Sequence, residues 1–425
     1  MSRAQRSAAK PPLEYSILYT ATLCLLAAGA VMVYSASSAE SLLNGSGDPS
    51  YYLKRYLLFG VLGLAVLQLA SRGGLKTVKA LTPVLLVAAF GLTIAVMLPG
   101  VGVQVNGATR WLAAGPVQFQ PSELLKLALV LYAAQLLAAR PGALKTLGGM
   151  CKPLLVVVGA ACALLLAQPD MGTAMVICFS IGALLVVAGA RMRHVAIVFG
   201  VLALLALIVA LAEPYRRARL TAFIDPWGDS SGGGFQSVQA MIAIGSGGLF
   251  GVGVGESVQK IFYLPEAHTD MILAIVGEEL GLVGIAGLVS LYGMIAYAGF
   301  RTAKLARDRY SKLLAAGVTS LILCQATLNF FAVLGMAPLT GVPLPFVSYG
   351  SSNLVVLLGG MGLLLNVAAT AGRAGARQGR GLVAIEGGRG RDARSSTTGR
   401  RAAGGRGGGR DGRARRPGAR GRRSA

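Results

Sequence analysis

LLVVVGAACALLLAQPDMGTAMVICFSIGALLVVAGARMRHVAIVFGVLALLALIVALA, residues 154–212, carries only Asp170, Arg191 and Arg193 as charged side chains. It reads as three apolar runs, 153 to 168, 172 to 190 and 194 to 212, separated by QPD and by RMRH. A helix rises about 1.5 Å per residue and the hydrocarbon core of a bilayer is about 30 Å thick, so roughly 20 apolar residues make one crossing. Similar runs flank this stretch at 15 to 35, 55 to 70, 78 to 98 and 122 to 139, and again at 270 to 299, 313 to 336 and 350 to 372. Ten such runs exceed what the core of a soluble chain can bury, and the surplus apolar surface must face lipid. Composition agrees: 54% of the residues are hydrophobic and 13% charged, against about 25% charged in ordinary globular chains. The expected fold is therefore an all-α integral membrane protein of about ten transmembrane helices, with a large extracytoplasmic loop between helices 7 and 8.

Basic residues fix the orientation. Arg3, Arg6 and Lys10 precede the first span; Arg72, Lys76 and Lys79 follow the second; Arg140, Lys145 and Lys152 follow the fourth. Arg191 and Arg193 follow the sixth, and Arg301, Lys304, Arg307, Arg309 and Lys312 the eighth. Every second loop is basic, which by the positive-inside rule places these loops and both termini in the cytoplasm. The segments around 36 to 54, 99 to 121, 168 to 171, 213 to 269 and 337 to 349 are then extracytoplasmic. The first span is long and lacks a small-residue cleavage site, so it reads as an anchor and not as a cleaved signal peptide.

Three regions follow: a cytoplasmic segment 1–14, a membrane domain 15–372, and a tail 373–425. The tail holds sixteen arginines against Glu386, Asp392 and Asp411 and so supplies +13 of the chain's net charge of +23. Rich in Gly, Ala and Arg and poor in large apolar residues, it is expected to be disordered. Attraction to anionic lipid and simple solvation are both open for it, and no nucleic-acid partner is expected. Five cysteines, Cys24, Cys151, Cys162, Cys178 and Cys324, and two histidines show no metal-ligand spacing and no disulfide framework.

The polar chemistry gathers outside. EPYRRARLTAFIDPW places Arg216, Arg217 and Arg219 beside Glu213 and Asp225, against the positive-inside trend; a phosphate ligand or a local ion-pair cluster would each compensate them. FQSVQAMIAIGSGGLFGVGVGESVQK, residues 235–260, is apolar enough to dip into the membrane and is broken by glycines there, the pattern of a re-entrant segment whose backbone closely approaches a ligand or another helix. IFYLPEAHTDMILAIVGEELG then crowds Glu266, His268, Thr269 and Asp270 at the mouth of the eighth span. A carboxylate at this boundary can accept a proton, hold a divalent cation or cap the helix. Glu278 and Glu279 lie about 80° and 180° around a regular helix from Asp270, so the three cannot share one site; they are functional candidates or a structural pair with a buried cation. In NGATRWLAAGPVQFQPSELLKLAL, Arg110 lies in the loop, Ser122 is a candidate N-cap, and Lys126, a turn into the fourth span, can meet phosphate or snorkel to the interface. Asp170 of QPDMGT reads as an N-cap, and PLTGVPLPFVSYGSSN as a stiff, proline-rich outer turn that gives shape.

Seven segments, NGATRW, QPSELLK, QPDMGT, AIGSGGLFGVGVGES, QKIFYLPEAHTDMI, GEELG and PLTGVPLPFVSYG, together resemble the SEDS family of bacterial membrane glycosyltransferases in order and spacing. The likeness runs from about residue 15 to 372, and QK followed by YLPEAHTD is nearer to the cell-division branch than to the elongation branch. The chain departs from the family pattern at SYGSSN, where a second glycine is usual, and at Met271, where Phe is usual. The resemblance implies polymerisation of lipid II into glycan strands at the outer face of the bacterial cytoplasmic membrane, at the division site. It implies Asp270 as catalytic carboxylate, with Arg110, Lys126, Arg216, Arg217, Arg219, Lys260, Glu266 and His268 lining the substrate site. It further implies a divalent cation, Mg²⁺ or Mn²⁺, with no ligands assigned by the sequence, polyprenyl-pyrophosphate-linked glycan as a bound species, and a class B penicillin-binding protein among its division partners. A lipid II flippase and a non-catalytic scaffold are the rival readings; clustering of charge at one face and the lack of a visible internal repeat weigh against the first.

Overall fold

The computed structural model describes residues 11–43, 47–105, 108–114, 117–212, 221–261 and 263–372. The tail, and with it the expectation of disorder there, lies outside the described residues, as do Arg216, Arg217 and Arg219.

Among the described residues the main helices are α1 (Leu13–Leu43), α2 (Tyr51–Arg72), α3 (Leu75–Ala95), α4 (Pro121–Ala139), α5 (Val156–Ala167), α6 (Met171–Ala188), α7 (Met192–Ala212), α8 (Phe235–Gly247), α9 (Ile272–Leu305), α10 (Arg309–Val333) and α11 (Ser351–Gly372). Among the described residues eight of them are long and apolar enough to cross a membrane, and the shorter apolar stretches Lys152–Ala167 and Met192–Leu204 fall at the fifth and seventh expected spans. The chain is a multi-pass membrane protein. α10 and α11 are its most buried helices, with α4, α6 and α9 around them, whereas α2 and α3 turn most of their surface outward. α2 starts earlier than hydropathy indicates, because Lys54 and Arg55 occupy its first turns without interrupting the backbone. α1 has 31 residues, about 46 Å, and so outruns the hydrocarbon core.

The loop between α3 and α4 departs from the sequence reading. It folds into an antiparallel sheet of β1 (Gly102–Val105), β2 (Ala108–Ala114) and β3 (Val117–Phe119), in that order. Gln118 O accepts from Ser351 Oγ at 3.1 Å, and Gln120 N donates to Ser352 Oγ at 2.9 Å, which ties the sheet to the first turn of α11.

The glycine-rich segment after α8 packs against another helix, one of the two outcomes left open. α9 is unwound at Gly281 (φ 65°, ψ −160°), and the loop amides satisfy the carbonyls so exposed: Val252 N donates to Glu278 O at 3.0 Å and Gly253 N to Glu279 O at 3.1 Å. In return Leu282 N donates to Gly248 O at 3.0 Å and Val283 N to Leu249 O at 3.1 Å. Non-helical backbone at membrane depth is tolerated when such bonds replace water. The approach leaves no room for side chains, since a β-carbon at Gly247 would overlap the Gly277 carbonyl and one at Gly251 the Glu279 carbonyl.

Candidate functional site

Asp270 stands in the last turn before α9. Met271 holds the N-cap position of that helix, and Asp270 stands one residue before it. The turn is tight: Thr269 N donates to Glu266 O at 3.1 Å and Met271 N to the same oxygen at 3.3 Å, with Glu266 at φ 56°, a left-handed conformation that a non-glycine residue holds only when its surroundings enforce it. The Thr269 hydroxyl lies 2.8 Å from Glu266 Oε2 and 3.3 Å from Asp270 Oδ1. One hydroxyl proton serves one carboxylate at a time, so Thr269 links the exposed Glu266 to the half-buried Asp270.

Opposite the carboxylate runs a wall made by the proline-rich segment, whose residues Val342, Leu344, Phe346, Val347 and Ser348 are buried. Buried backbone without a helix or sheet must find other partners, and helix side chains supply them. Asn329 Nδ2 donates to Val342 O at 2.9 Å and Gln325 Nε2 to Pro343 O at 2.9 Å, both from α10. Tyr292 of α9 donates its hydroxyl to Pro345 O, and Tyr56 of α2 to Phe346 O. Ser348 Oγ accepts from Leu344 N at 2.8 Å. Asn329 Nδ2 also donates to Asp270 O at 2.7 Å. At the near end of the wall Gly341 has φ 67°, and a β-carbon there would stand 3.9 Å from Asp270 Oδ2. The segment thus has defined shape, as its prolines imply, and a specific set of donors that hold it.

Lys126 lies behind this wall and is 1% exposed. Its Nζ contacts Glu123 Oε2 at 2.9 Å and donates to Gln325 Oε1 at 2.8 Å, while Asn353 Nδ2 donates to the same Glu123 oxygen at 2.7 Å. It therefore does not snorkel; it is a buried, paired cation joined through Gln325 to the Pro343 carbonyl. Ser122 does not cap α4 either. Gln120 holds the N-cap position and Ser122 Oγ reaches Asp170 Oδ2 at 3.3 Å. Asp170 does cap α6, accepting from Thr173 N at 3.1 Å. Arg110 braces the preceding turn, with Nε 3.0 Å from Gln168 O and Nη2 on Pro169 O, and Gly172 packs against Thr340 O at the start of the wall.

His268, buried, sits on the other side of the turn. Its ring lies 4.2 Å from that of Tyr52 and 5.7 Å from that of Tyr349, and Tyr349 N donates to His268 O at 3.0 Å. Its Nδ1 stands 3.4 Å from Glu40 Oε2, within ion-pair range but not aligned as a hydrogen bond. Burial pushes the Tyr349 phenol up, so this ring stays neutral and serves as packing.

Lys260 is apart from these groups. Its Nζ meets Glu279 Oε1 at 2.8 Å, Ser35 Oγ at 3.1 Å and Gly255 O at 2.6 Å, and it borders an apolar cavity of about 710 Å³ between α1, α2 and the glycine-rich loop. Glu278 accepts from Ser257 Oγ, from Val258 N at 3.0 Å and from Gln259 N at 3.4 Å. The two glutamates thus pin the re-entrant loop, which is the structural reading of that pair. Among the described residues no three His, Cys, Asp or Glu side chains converge as a metal site. The Glu266 and Asp270 carboxylates, linked through Thr269, still fit a hard divalent cation of the kind held by one or two carboxylates and completed by substrate phosphates.

The arrangement is a carboxylate at the mouth of a helical bundle, a hydrogen-bonded wall beside it and a buried cation behind. Comparisons with known proteins give the family. Residues 16–372 match the FtsW, RodA and SpoVE family model, described as cell cycle protein. The "Probable peptidoglycan glycosyltransferase FtsW" of Thioalkalivibrio sulfidiphilus is 46% identical over 82% of this chain and 88% of its own length. Stage V sporulation protein E of Bacillus subtilis is 38% identical over 83% of this chain and 96% of its own. Among solved structures, a chain from "Structural coordination of polymerization and crosslinking by a peptidoglycan synthase complex" superposes with TM-score 0.69 at 30% identity, covering 83% of this chain and 96% of that one. The rod shape determining protein RodA of Thermus thermophilus superposes with TM-score 0.59 at 29% identity, over 83% of this chain and 95% of that one. The chain belongs to the FtsW, RodA and SpoVE family of cell cycle proteins, the SEDS family that its seven motifs resemble, with its cell-division members best supported.

Proposed function

We propose that this protein is a peptidoglycan glycosyltransferase that polymerises lipid II on the outer face of the cytoplasmic membrane during septal wall synthesis, with Asp270 as its catalytic carboxylate. The observation that carries the reading is the placement of Asp270: half-buried, in the turn that opens α9, and held by its backbone against the wall at Gly341 to Val342. In the reaction a sugar hydroxyl of the acceptor attacks the anomeric carbon of a donor glycan carried on polyprenyl pyrophosphate. The new glycosidic C–O bond forms as the bond to the pyrophosphate oxygen breaks. Asp270 takes the hydroxyl proton, and the lipid pyrophosphate leaves with the bonding pair. Glu266, reached through Thr269, shares the mouth of the site, and Asp270 and Glu266 would hold a divalent cation, Mg²⁺ or Mn²⁺, whose chemistry is to neutralise the leaving pyrophosphate.

Lys126 and Arg110 act in this reading mainly by building the site, since each is bonded to protein groups. Arg216, Arg217 and Arg219 remain candidates for the pyrophosphate. A lipid-linked substrate accounts for aqueous sugar chemistry in a membrane domain. The basic character of every second loop supports cytoplasmic termini, and the peptidoglycan synthase complex named above supports a class B penicillin-binding protein as crosslinking partner.

The test is glycan polymer formation by the purified full-length protein given lipid II and Mg²⁺ or Mn²⁺, with and without the transpeptidase. Polymer in either condition is the expected result. Lipid II that stays monomeric with both cations and with the partner would favour the scaffold, and lipid II moved across vesicles without polymer would favour the flippase.

A further inference from the structure

Four side chains hold the wall carbonyls, and one of them does something more. Tyr56, Tyr292 and Gln325 each reach wall carbonyls without a bond to the Asp270 turn. Asn329 spends one amide hydrogen on Val342 O and the other on Asp270 O, at 2.9 and 2.7 Å. Two facing carbonyl oxygens require that the nitrogen, and not the oxygen, of the amide point at them, which fixes the orientation of the group. Asn329 is 1% exposed, and its Oδ1 has no hydrogen-bond partner among the described residues. A buried amide oxygen left without a partner is a cost that the chain bears to keep the amide turned this way.

We infer that Asn329 is a positioning residue for the glycosyl transfer: it sets the gap between the Asp270 carboxylate and the wall in which the acceptor hydroxyl must lie. The inference rests on the assignment of Asp270 above. Without the amide the Asp270 and Val342 carbonyls face each other with no shared donor, and the turn that begins α9 separates from the wall. The carboxylate itself is untouched by such a change and substrate still binds. A misplacement of about 1 Å costs on the order of 10²-fold in rate.

The experiment compares Asn329→Ala and Asn329→Gln with the parent as full-length protein, reading kcat and KM for lipid II polymerisation, lipid II binding and the melting temperature in detergent. Gln keeps a buried amide and displaces it by one carbon, so it separates donor position from polarity. Tyr292→Phe removes a wall bond of the same kind without touching Asp270, and reports what loosening the wall alone does. The expected result is a fall in kcat of about 10- to 100-fold in both Asn329 variants, with KM and lipid II binding within about 3-fold of parent. Tyr292→Phe should lower the melting temperature but keep kcat within about 3-fold. Parental kcat in a folded Asn329 variant overturns the inference, and so does a change confined to KM. An equal kcat loss in Tyr292→Phe, or failure of both Asn329 variants to insert and fold, assigns Asn329 to the fold alone and also overturns it. Asp270→Asn, run beside them, keeps the two proposals apart. If it is active the catalytic assignment fails; if it is dead while Asn329 variants turn over normally, only this inference fails.

Discussion

Lys260 Nζ lies 2.8 Å from Glu279 Oε1, both side chains less than a tenth exposed, and the pair joins the glycine-rich loop to the unwound part of α9. Ser35 of α1 completes it, with Oγ 2.6 Å from the same Glu279 oxygen. Three segments distant in sequence meet at one ion pair. The adjacent Glu278 fixes residues 257–259 of the same loop.

Breaking this pair on one side should be far worse than removing it. Glu279→Ala leaves a buried ammonium without its counter-ion, at a cost of about 3–5 kcal/mol. Lys260→Met combined with Glu279→Leu replaces both charges with apolar groups and should recover most of that loss. Melting temperatures of the detergent-solubilised single and double variants decide it: a double variant no more stable than Glu279→Ala would contradict the pairing.

The backbone contact beneath the pair makes a sharper demand. Gly281 has φ 65°, and a β-carbon on it would run into Gly251 N and the Leu249 carbonyl. Gly281→Ala should therefore cost about 1–3 kcal/mol for the conformation and a similar amount for the clash. Gly287→Ala, in open space on the same helix, should be neutral or stabilising by up to about 1 kcal/mol. Thermal stability and the folded fraction on size-exclusion chromatography report both, and equal behaviour of the two variants would refute the packing account.

Orientation makes a prediction from charge alone. Reporters fused after Arg193 and after Arg309 should read cytoplasm, and one inserted near Ser231 should read the exterior. A cytoplasmic signal at Ser231 would reverse the membrane and put Asp270 on the wrong side for an extracytoplasmic polymer.

The spans were legible in the sequence because hydropathy is local: each run of apolar residues reports its own helix whatever the rest of the chain does. The sheet at 102–119 is not legible from periodicity, since its strands of 4, 7 and 3 residues leave only a brief alternation; Asn106-Gly107 is the available hairpin signal. Asp270, Glu266 and His268 fall in one short motif and were found together. Their supports were not. Gln325 meets Lys126 across 199 residues and Asn353 meets Glu123 across 230, separations that no spacing rule records. The Glu123 to Lys126 pair was within reach, because charges three apart on a helix are neighbours. The caps were misassigned at Ser122, whose hydroxyl is taken by Asp170 from another helix.

The central claim is tested most directly by lipid II polymerisation with purified Asp270→Asn and parent, matched for expression and melting temperature. Met271 holds the N-cap position of α9, and the bond from Asn329 to residue 270 uses the backbone carbonyl, so the amide, nearly the same size and shape as the carboxylate, should leave the fold within roughly 1 kcal/mol of parent. An amide cannot accept the hydroxyl proton, and the predicted result is a loss of polymer on the order of 10²- to 10⁴-fold. Near-parental polymer from Asp270→Asn would contradict the account and move the search for the base to Glu266.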